Sequence, residues 1–250
     1  MEEGEKNKAV YGLIGRGISY SFSADYFNKR FEQEQRSARY VNFDIPDLSG
    51  LNQVLQTADL KGCNVTIPYK TAILKHLDSI DDEASEIGAV NCLKLVDQQL
   101  IGYNTDAFGF AKSLKQQLRL TDRSALVLGS TGGAAKAIIH ALRGLSIQVI
   151  TVSRTNDSDF TYNTLDPDLV HRTPLIINCT PLGTHPNTNE CPELPYEVLT
   201  GAHFLFDLVY NPAESLFLKY GRQAGSRIQN GYDMLIYQAE RSWEIWNALW

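Results

Sequence analysis

The chain has 250 residues, enough for one large domain or two modest ones, with an ordinary globular composition and a formal net charge of -6. That charge, with no basic run or RNA-binding motif, argues against a nucleic-acid partner. The charged start Met-Glu-Glu-Gly-Glu-Lys-Asn-Lys lacks an apolar signal core and no stretch is long enough to span a bilayer, so a cytoplasmic location and no membrane partner are expected. The four scattered cysteines read as reduced thiols, and the five histidines show no metal-ligand spacing, so no metal is expected.

From residue 9 to about residue 210, short apolar strands alternate with amphipathic helices, an α/β pattern that implies a mostly parallel sheet. The first half predicts strands near 9–15, 38–45, 61–67, 89–96 and 100–103, and helices near 22–35, 48–57, 69–76 and 81–87. Asp97-Gln98-Gln99 has the composition of a hairpin turn between the last two strands. A second α/β run opens at Ser124: the strand Ala125–Leu128, a glycine-rich loop, a helix from Gly133 that ends before Gly144, and the strand Gln148–Val152. This is the layout of a mononucleotide-binding half. Leu175–Ile177 and Phe204–Phe206 supply later strands, and 183–197 reads as a surface loop. From about 232 to 250 a long helix carries Leu235, Ala239, Trp243, Trp246 and Trp250 at helical spacing, a stripe suited to the core.

Five segments can carry chemistry. In Gly-Cys-Asn-Val-Thr-Ile-Pro-Tyr-Lys (62–70), a buried strand leads into Pro68, which suits a first helical turn, and this places Lys70 where the helix dipole disfavours a cation by roughly 0.3–1 kcal/mol. The segment Gly-Tyr-Asn-Thr-Asp (102–106) ends in a carboxylate, Asp106, able to pair with that lysine. The loop 129–137 offers backbone N–H groups at a helix N-terminus, an anion site suited to a pyrophosphate, although Thr131 stands where a regular dinucleotide motif has its second glycine. The strand that follows ends in Ser153-Arg154-Thr155, and an arginine there accommodates the 2′-phosphate of NADP; Asp157 and Asp159 lie close by and weaken that preference slightly. Near the N-terminus, Ser21 and Ser23 can offer hydroxyls to a carboxylate, or serve simply as helix caps.

In this order the segments resemble the shikimate dehydrogenase family over nearly the whole chain, from Tyr11 to about Ala248. The matching motifs are Tyr-Gly-Leu-Ile-Gly with Ser-Phe-Ser (11–15, 21–23), Asn-Val-Thr-Ile-Pro-Tyr-Lys (64–70), Gly-Ala-Val-Asn (88–91), Asn-Thr-Asp (104–106) and Ser-Arg-Thr (153–155). Asn-Cys-Thr-Pro-Leu-Gly (178–183), Phe-Asp-Leu-Val-Tyr-Asn-Pro (206–212) and Asn-Gly-Tyr-Asp-Met-Leu-Ile-Tyr-Gln-Ala (230–239) complete the set. The resemblance implies an N-terminal mixed α/β substrate-binding domain plus a Rossmann-like NADP-binding domain, with an active-site cleft between them. The boundaries expected are 1–107 plus 231–250 for the first and 108–230 for the second.

The family's reaction is the NADP-dependent interconversion of 3-dehydroshikimate and shikimate. By motif match, Lys70 and Asp106 would form the catalytic pair, and Ser21 and Ser23 would hold the substrate carboxylate. Asn91, Asp106 and Gln238 would bind ring hydroxyls with help from Asn64 and Thr66, and Tyr210 would reach the carboxylate region. Gly129, Gly132, Gly133 and Ala134 would cradle the pyrophosphate; Ser153, Arg154 and Thr155 would hold the adenosine phosphate. Thr180, Leu182, Val209, Gly231 and Met234 would line the nicotinamide side. The chain departs from the family at Tyr20, Ala24 and Phe27, and its glycine loop differs either by one inserted residue or by a slipped strand end with Ser130 at the first glycine, which bears on Ser130 and Thr131. A hinge is expected near 107–109 and again near Asn230-Gly231. Either a monomer or a homodimer is compatible with this reading. Two alternatives stay open from sequence: a quinate/shikimate dehydrogenase that uses NAD, and a non-catalytic nucleotide or shikimate sensor.

Overall fold

The computed structural model describes residues 8–18 and 21–248; Tyr20 and Trp250, named above, and the charged residues 1–7 lie outside them. The chain divides into two compact units, Met1–Thr105 with Ala239–Trp250, and Asp106–Gln238.

The first unit is built on a six-stranded sheet in the order β2-β1-β3-β5-β6-β4. Its strands are β1 (Ala9–Gly15), β2 (Ala38–Asp44), β3 (Leu60–Val65), β4 (Ser79–Ile80), β5 (Cys92–Val96) and β6 (Gln99–Tyr103). The β2–β1–β3 part is parallel, whereas β3–β5 and β5–β6 run antiparallel. The turn joining β5 to β6 is two residues, Asp97 and Gln98, both at positive φ, and Gln99 already pairs with Val96. Helix α1 (Phe22–Gln33) packs its Phe27 and Phe31 against Tyr11, Tyr40, Trp243 and Trp246, so the aromatic stripe of the last helix is core, as its spacing implied. The Trp246 indole crosses β3 at Gly62 and donates to the Leu93 carbonyl at 2.9 Å. A Cβ on Gly62 would lie 2.3 Å from that indole nitrogen, which is why the strand carries a glycine there.

Three expected elements differ. The segment after β3 is not an α-helix: Tyr69 N–H closes a turn on the Thr66 carbonyl at 2.9 Å, Lys70 sits in a turn, and a 3-10 helix spans Ala72–His76. The Lys70 carbonyl accepts the Val90 N–H at 2.8 Å, which takes it out of any helical ladder. Pro68 therefore opens no helix, and the dipole cost assigned to Lys70 does not apply. The strand expected over 89–96 begins only at Cys92, because Val90 and Asn91 direct their N–H groups to Lys70 and Tyr103. The helix expected over 48–57 is a 3-10 turn, Leu48–Gly50, running into a short α2 (Leu51–Leu55). Helix α3 (Asp82–Ile87) falls where expected and ends at Gly88 in the left-handed conformation.

In the second unit, α4 (Asp106–Lys115) precedes an all-parallel sheet in the order β12-β11-β10-β7-β8-β9. Its strands are β7 (Ser124–Leu128), β8 (Gln148–Ser153), β9 (Phe160–Thr161), β10 (Leu175–Asn178), β11 (Phe204–Asp207) and β12 (Arg227–Gln229). The central strands are apolar runs buried on both faces, as parallel strands covered by helices must be. Helices α5 (Gly133–Gly144), α6 (Pro167–Arg172) and α7 (Leu216–Gln223) connect them, and α8 spans Tyr232–Asn247.

The compact units divide at 105/106 and 238/239. The cause is local packing: α4 joins the second unit from its first residue, with Phe110 edge-on to Phe206 at 5.0 Å, and the start of α8 lies directly on α4. A Cβ on Gly109 would stand 2.7 Å from the Met234 carbonyl and 2.9 Å from the Gln238 nitrogen. Residues 107–109 lie in the first turn of α4.

The Gly62 contact yields a test. Gly62→Ala is expected to destabilise the protein by about 1–3 kcal/mol through overpacking against the indole, read as a lower urea midpoint at unchanged slope.

Candidate active site

The first unit gathers its candidate residues around the end of β3. Asn64 is buried, and its amide is spent inside the protein. Its oxygen accepts the Tyr40 hydroxyl at 2.9 Å, and its nitrogen donates to the Asn91 carbonyl at 3.2 Å and to the Ser242 hydroxyl at 2.8 Å. Asn91 in turn accepts the Thr105 N–H at 2.6 Å and donates to the Thr105 hydroxyl at 3.0 Å. The Thr105 and Ser242 hydroxyls lie 3.1 Å apart, closing the ring. Ser23, also buried, is hydrogen-bonded through its side chain to the Tyr40 phenol, whose pKa burial pushes well up. The structure therefore joins Ser23, Asn64 and Asn91 into one buried polar network. Tyr40, Thr105 and Ser242, to which the sequence assigned no role, complete it. Ser242 left a trace in the sequence, as a polar residue inside the apolar face of the last helix.

Ser21 is the N-cap of α1, accepting the Ala24 N–H at 3.3 Å, and is half-buried. Thr66 follows β3 and sets its methyl against Gly15, where a Cβ would lie 2.5 Å away. Lys70 is half-buried four residues later.

In the second unit, Asp106 is the buried first residue of α4, immediately after Thr105, and Gln238 is buried in α8, donating to the Leu235 carbonyl at 2.8 Å. The glycine loop leaves β7 at Leu128. Gly129 turns at φ +74°, and both its N–H and that of Ser130 point to the Val152 carbonyl, at 2.9 and 3.2 Å. Ser130 is buried and its hydroxyl lies 2.7 Å from that of Ser158, while Thr131 is exposed. Gly132 then caps α5, and the first helical donor into the ladder is Lys136, to the Gly132 carbonyl at 3.2 Å. The N–H groups of Gly133, Ala134 and Ala135 precede it and face the helix end. At Gly132 the nearest atom to an added Cβ is 3.8 Å away, so the cradle has open space for a phosphate.

At the end of β8, Ser153 is buried and its hydroxyl accepts the Thr155 N–H at 3.1 Å, shaping the turn that presents Arg154 to solvent. The two nearby acids are engaged locally. Asp159 accepts the Thr151 N–H and hydroxyl at 2.8 and 2.7 Å, which hold its carboxyl below the usual range, and Asp157 accepts the Thr155 hydroxyl at 3.1 Å. Glycine loop, open helix end and exposed arginine in this order fit a pyrophosphate and a 2′-phosphate.

The residues expected on the nicotinamide side also meet. Thr180 donates to the Asn178 side-chain oxygen, and Leu182 N–H reaches the Thr180 hydroxyl at 3.3 Å. Val209 accepts the Gly231 N–H at 3.1 Å, and Gly231 lies so close to Leu208 that a Cβ would stand 2.2 Å from its carbonyl oxygen. Met234 is buried at the start of α8, and Tyr210 is exposed, its phenol pKa raised by burial of its surroundings. Asp207, fully buried beneath these loops, has its pKa pushed up to about 6 by desolvation, against the hydrogen bonds from Ser215, Val209 and Asn178. Among the described residues no group of three or more His, Cys, Asp or Glu side chains could hold a metal ion, and all four cysteines are free.

A parallel sheet with this glycine loop and arginine defines a dinucleotide-binding unit, here preceded by a second α/β unit with its own polar site. The profile of the shikimate dehydrogenase substrate binding domain matches residues 13–93. An NADP(+)-dependent shikimate dehydrogenase of Clostridium beijerinckii is 36% identical over 94% of this chain and 91% of its own length. A shikimate dehydrogenase crystallised in complex with NADP+ superposes with a TM-score of 0.87 at 33% identity, over 97% of this chain and 91% of its own. The shikimate 5-dehydrogenase of Thermus thermophilus in complex with NADP(H) and shikimate does so with a TM-score of 0.85 at 30% identity, over 96% and 94%. The chain belongs to the shikimate dehydrogenase family.

The Asp207 carboxyl has a pH signature. Its folded pKa lies above the unfolded value of about 4, so the stability linked to its proton is fully present below that value and is lost as pH rises through about 6. Wild-type stability is expected to fall, relative to Asp207→Asn, by about 2–3 kcal/mol between pH 4 and 7, read from chemical denaturation across that range. Parallel curves for the two proteins would refute it.

Proposed function

We propose that this protein catalyses the reversible, NADP-dependent reduction of 3-dehydroshikimate to shikimate. The observation that carries the reading is the similarity, at above 30% identity, to NADP(+) shikimate dehydrogenases over both units, with Lys70, Asp106 and Arg154 present in their motifs.

Interconverting an alcohol and a ketone needs a hydride carrier and a proton carrier. NADP, when bound, supplies the first. The proton belongs to Lys70, with Asp106 as its partner carboxylate and as a ligand for the neighbouring hydroxyl. Asn91 and Gln238 read the ring hydroxyls, and Ser21 and Ser23 the substrate carboxylate, with Tyr210 assisting. Asn64 supports Asn91 by holding its carbonyl. Such a site selects its substrate because an analogue lacking a hydroxyl leaves buried polar groups unpaired. Gly129, Gly132, Gly133 and Ala134 cradle the pyrophosphate. Arg154, flanked by Ser153 and Thr155, takes the 2′-phosphate, an assignment supported by the local engagement of both nearby acids. The same reading places the protein in the cytoplasm as a monomer or homodimer.

The test is reduced-nicotinamide absorbance with shikimate or quinate, each offered with NADP or NAD. Turnover with shikimate and NADP is expected. Turnover confined to quinate or to NAD would replace the reading with the dual-specificity alternative, and folded protein inert in every pairing would leave a binding protein. Lys70→Ala should cut kcat by at least about a hundredfold with KM little changed; near-normal turnover would remove Lys70 from the proton step. Arg154→Ala should weaken NADP by about ten- to a hundredfold and leave NAD unaffected, measured as the ratio of the two KM values.

A further inference from the structure

Asp207 takes no part in the reaction above, yet it organises more of the second unit's sheet edge than any residue assigned to it. Asn178 and Asp207 are register partners at the last positions of adjacent parallel strands, and neither side chain is exposed. One carboxylate oxygen accepts the Asn178 amide N–H at 2.9 Å and the Val209 N–H at 3.0 Å; the other accepts the Ser215 hydroxyl. An ionised carboxylate can only accept, so Asn178 must turn its nitrogen toward Asp207 and its oxygen away. That oxygen takes both the N–H and the hydroxyl of Thr180, at 2.9 and 2.6 Å. The Thr180 hydroxyl proton is thereby spent, and its methyl is set over Gly129, where a Cβ would lie 2.6 Å from it. On the other side, Val209, held by the same carboxylate oxygen, accepts Gly231. One buried carboxylate thus bonds directly to the loop after β11, reaches the loop after β10 through Asn178, and through Val209 reaches Gly231 just before α8.

We propose that Asp207 is a positioning residue for the nicotinamide half of NADP: by fixing the orientation of the Asn178 amide it holds Thr180 and Leu182, and by accepting the Val209 N–H directly it holds Val209, in one arrangement and without touching the cofactor. The inference rests on the NADP-dependent reading given above. It separates the two halves of the cofactor, because the adenosine phosphate is held at Arg154 on the β8 side and owes nothing to Asp207.

The experiment titrates NADP and adenosine 2′,5′-bisphosphate calorimetrically against the wild type, Asp207→Ala, Asp207→Asn and Thr180→Val. Asp207→Ala should weaken NADP by about tenfold while the bisphosphate stays within about twofold. Asp207→Asn keeps an acceptor oxygen for Asn178 and Val209 and can donate to a rotated Ser215 hydroxyl, so its NADP affinity should stay within about twofold of wild type. Thr180→Val removes the hydroxyl that Asn178 holds. It should reproduce the selective loss, and wild-type NADP affinity in it overturns the proposal even should Asp207→Ala not fold. Wild-type NADP affinity in Thr180→Val or in Asp207→Ala, an equal loss for both ligands, or a loss in Asp207→Asn as large as in Asp207→Ala would each overturn the proposal. A wild type that binds the bisphosphate and NADP but shows no such pattern in the variants sinks this inference alone; a wild type that binds neither ligand sinks the NADP reading itself.

Discussion

A parallel sheet delivers the last residue of every strand to one edge, and the polar groups released there must find partners or be given to a ligand. The second unit meets this constraint with side chains. Asn178 and Asp207 end neighbouring strands and bond to each other, and the loops that leave those strands hang from them. The first unit solves the same problem at the end of β3. There Asn64 spends its whole amide on Tyr40, Asn91 and Ser242. In both places a buried amide, with donors and acceptor at fixed positions, sets the direction of everything bonded to it. Such groups are costly to leave unmatched, so the networks are complete or they do not form.

Close backbone approach is the second recurring device. Gly62 admits the Trp246 indole, Gly109 admits the first turns of α8, and Gly231 admits the Leu208 carbonyl. Each of these positions is filled from outside by another part of the chain, so the glycine is needed for space. Gly129 combines both demands: it turns at positive φ and lies under the Thr180 methyl. The loop that would hold a pyrophosphate is therefore shaped by a contact from β10 as well as by its own sequence.

The buried carboxyl of Asp207 shows how the cost of such an arrangement is distributed. Desolvation raises its pKa to about 6, although three donors converge on it, so the charged form is tolerated rather than favoured. Elsewhere burial drives the Tyr40 phenol and the Cys63, Cys92 and Cys179 thiols upward.

Much of the molecule was legible in the order of residues. Apolar runs such as Ala125–Leu128 and Phe204–Phe206 read as buried strands, and the glycines after the first mark a tight strand-to-helix turn, because both signals depend on a few adjacent residues. The aromatic stripe of α8 declared itself core by its spacing. Three things waited for the tertiary structure. Lys70 lies in a turn and not in a helix because its carbonyl is claimed by Val90, twenty residues away in sequence. Tyr40 and Ser242 join Asn64 from opposite ends of the first unit's chain, and Ser130 is turned inward by Ser158. Asn178 and Asp207 stood within recognisable motifs, but only the parallel register makes them partners. Local hydrogen bonding and hydrophobic period are properties of a segment and can be read from it. Which distant group claims a given donor or acceptor depends on how the strands align, and that is decided only when the sheets have formed.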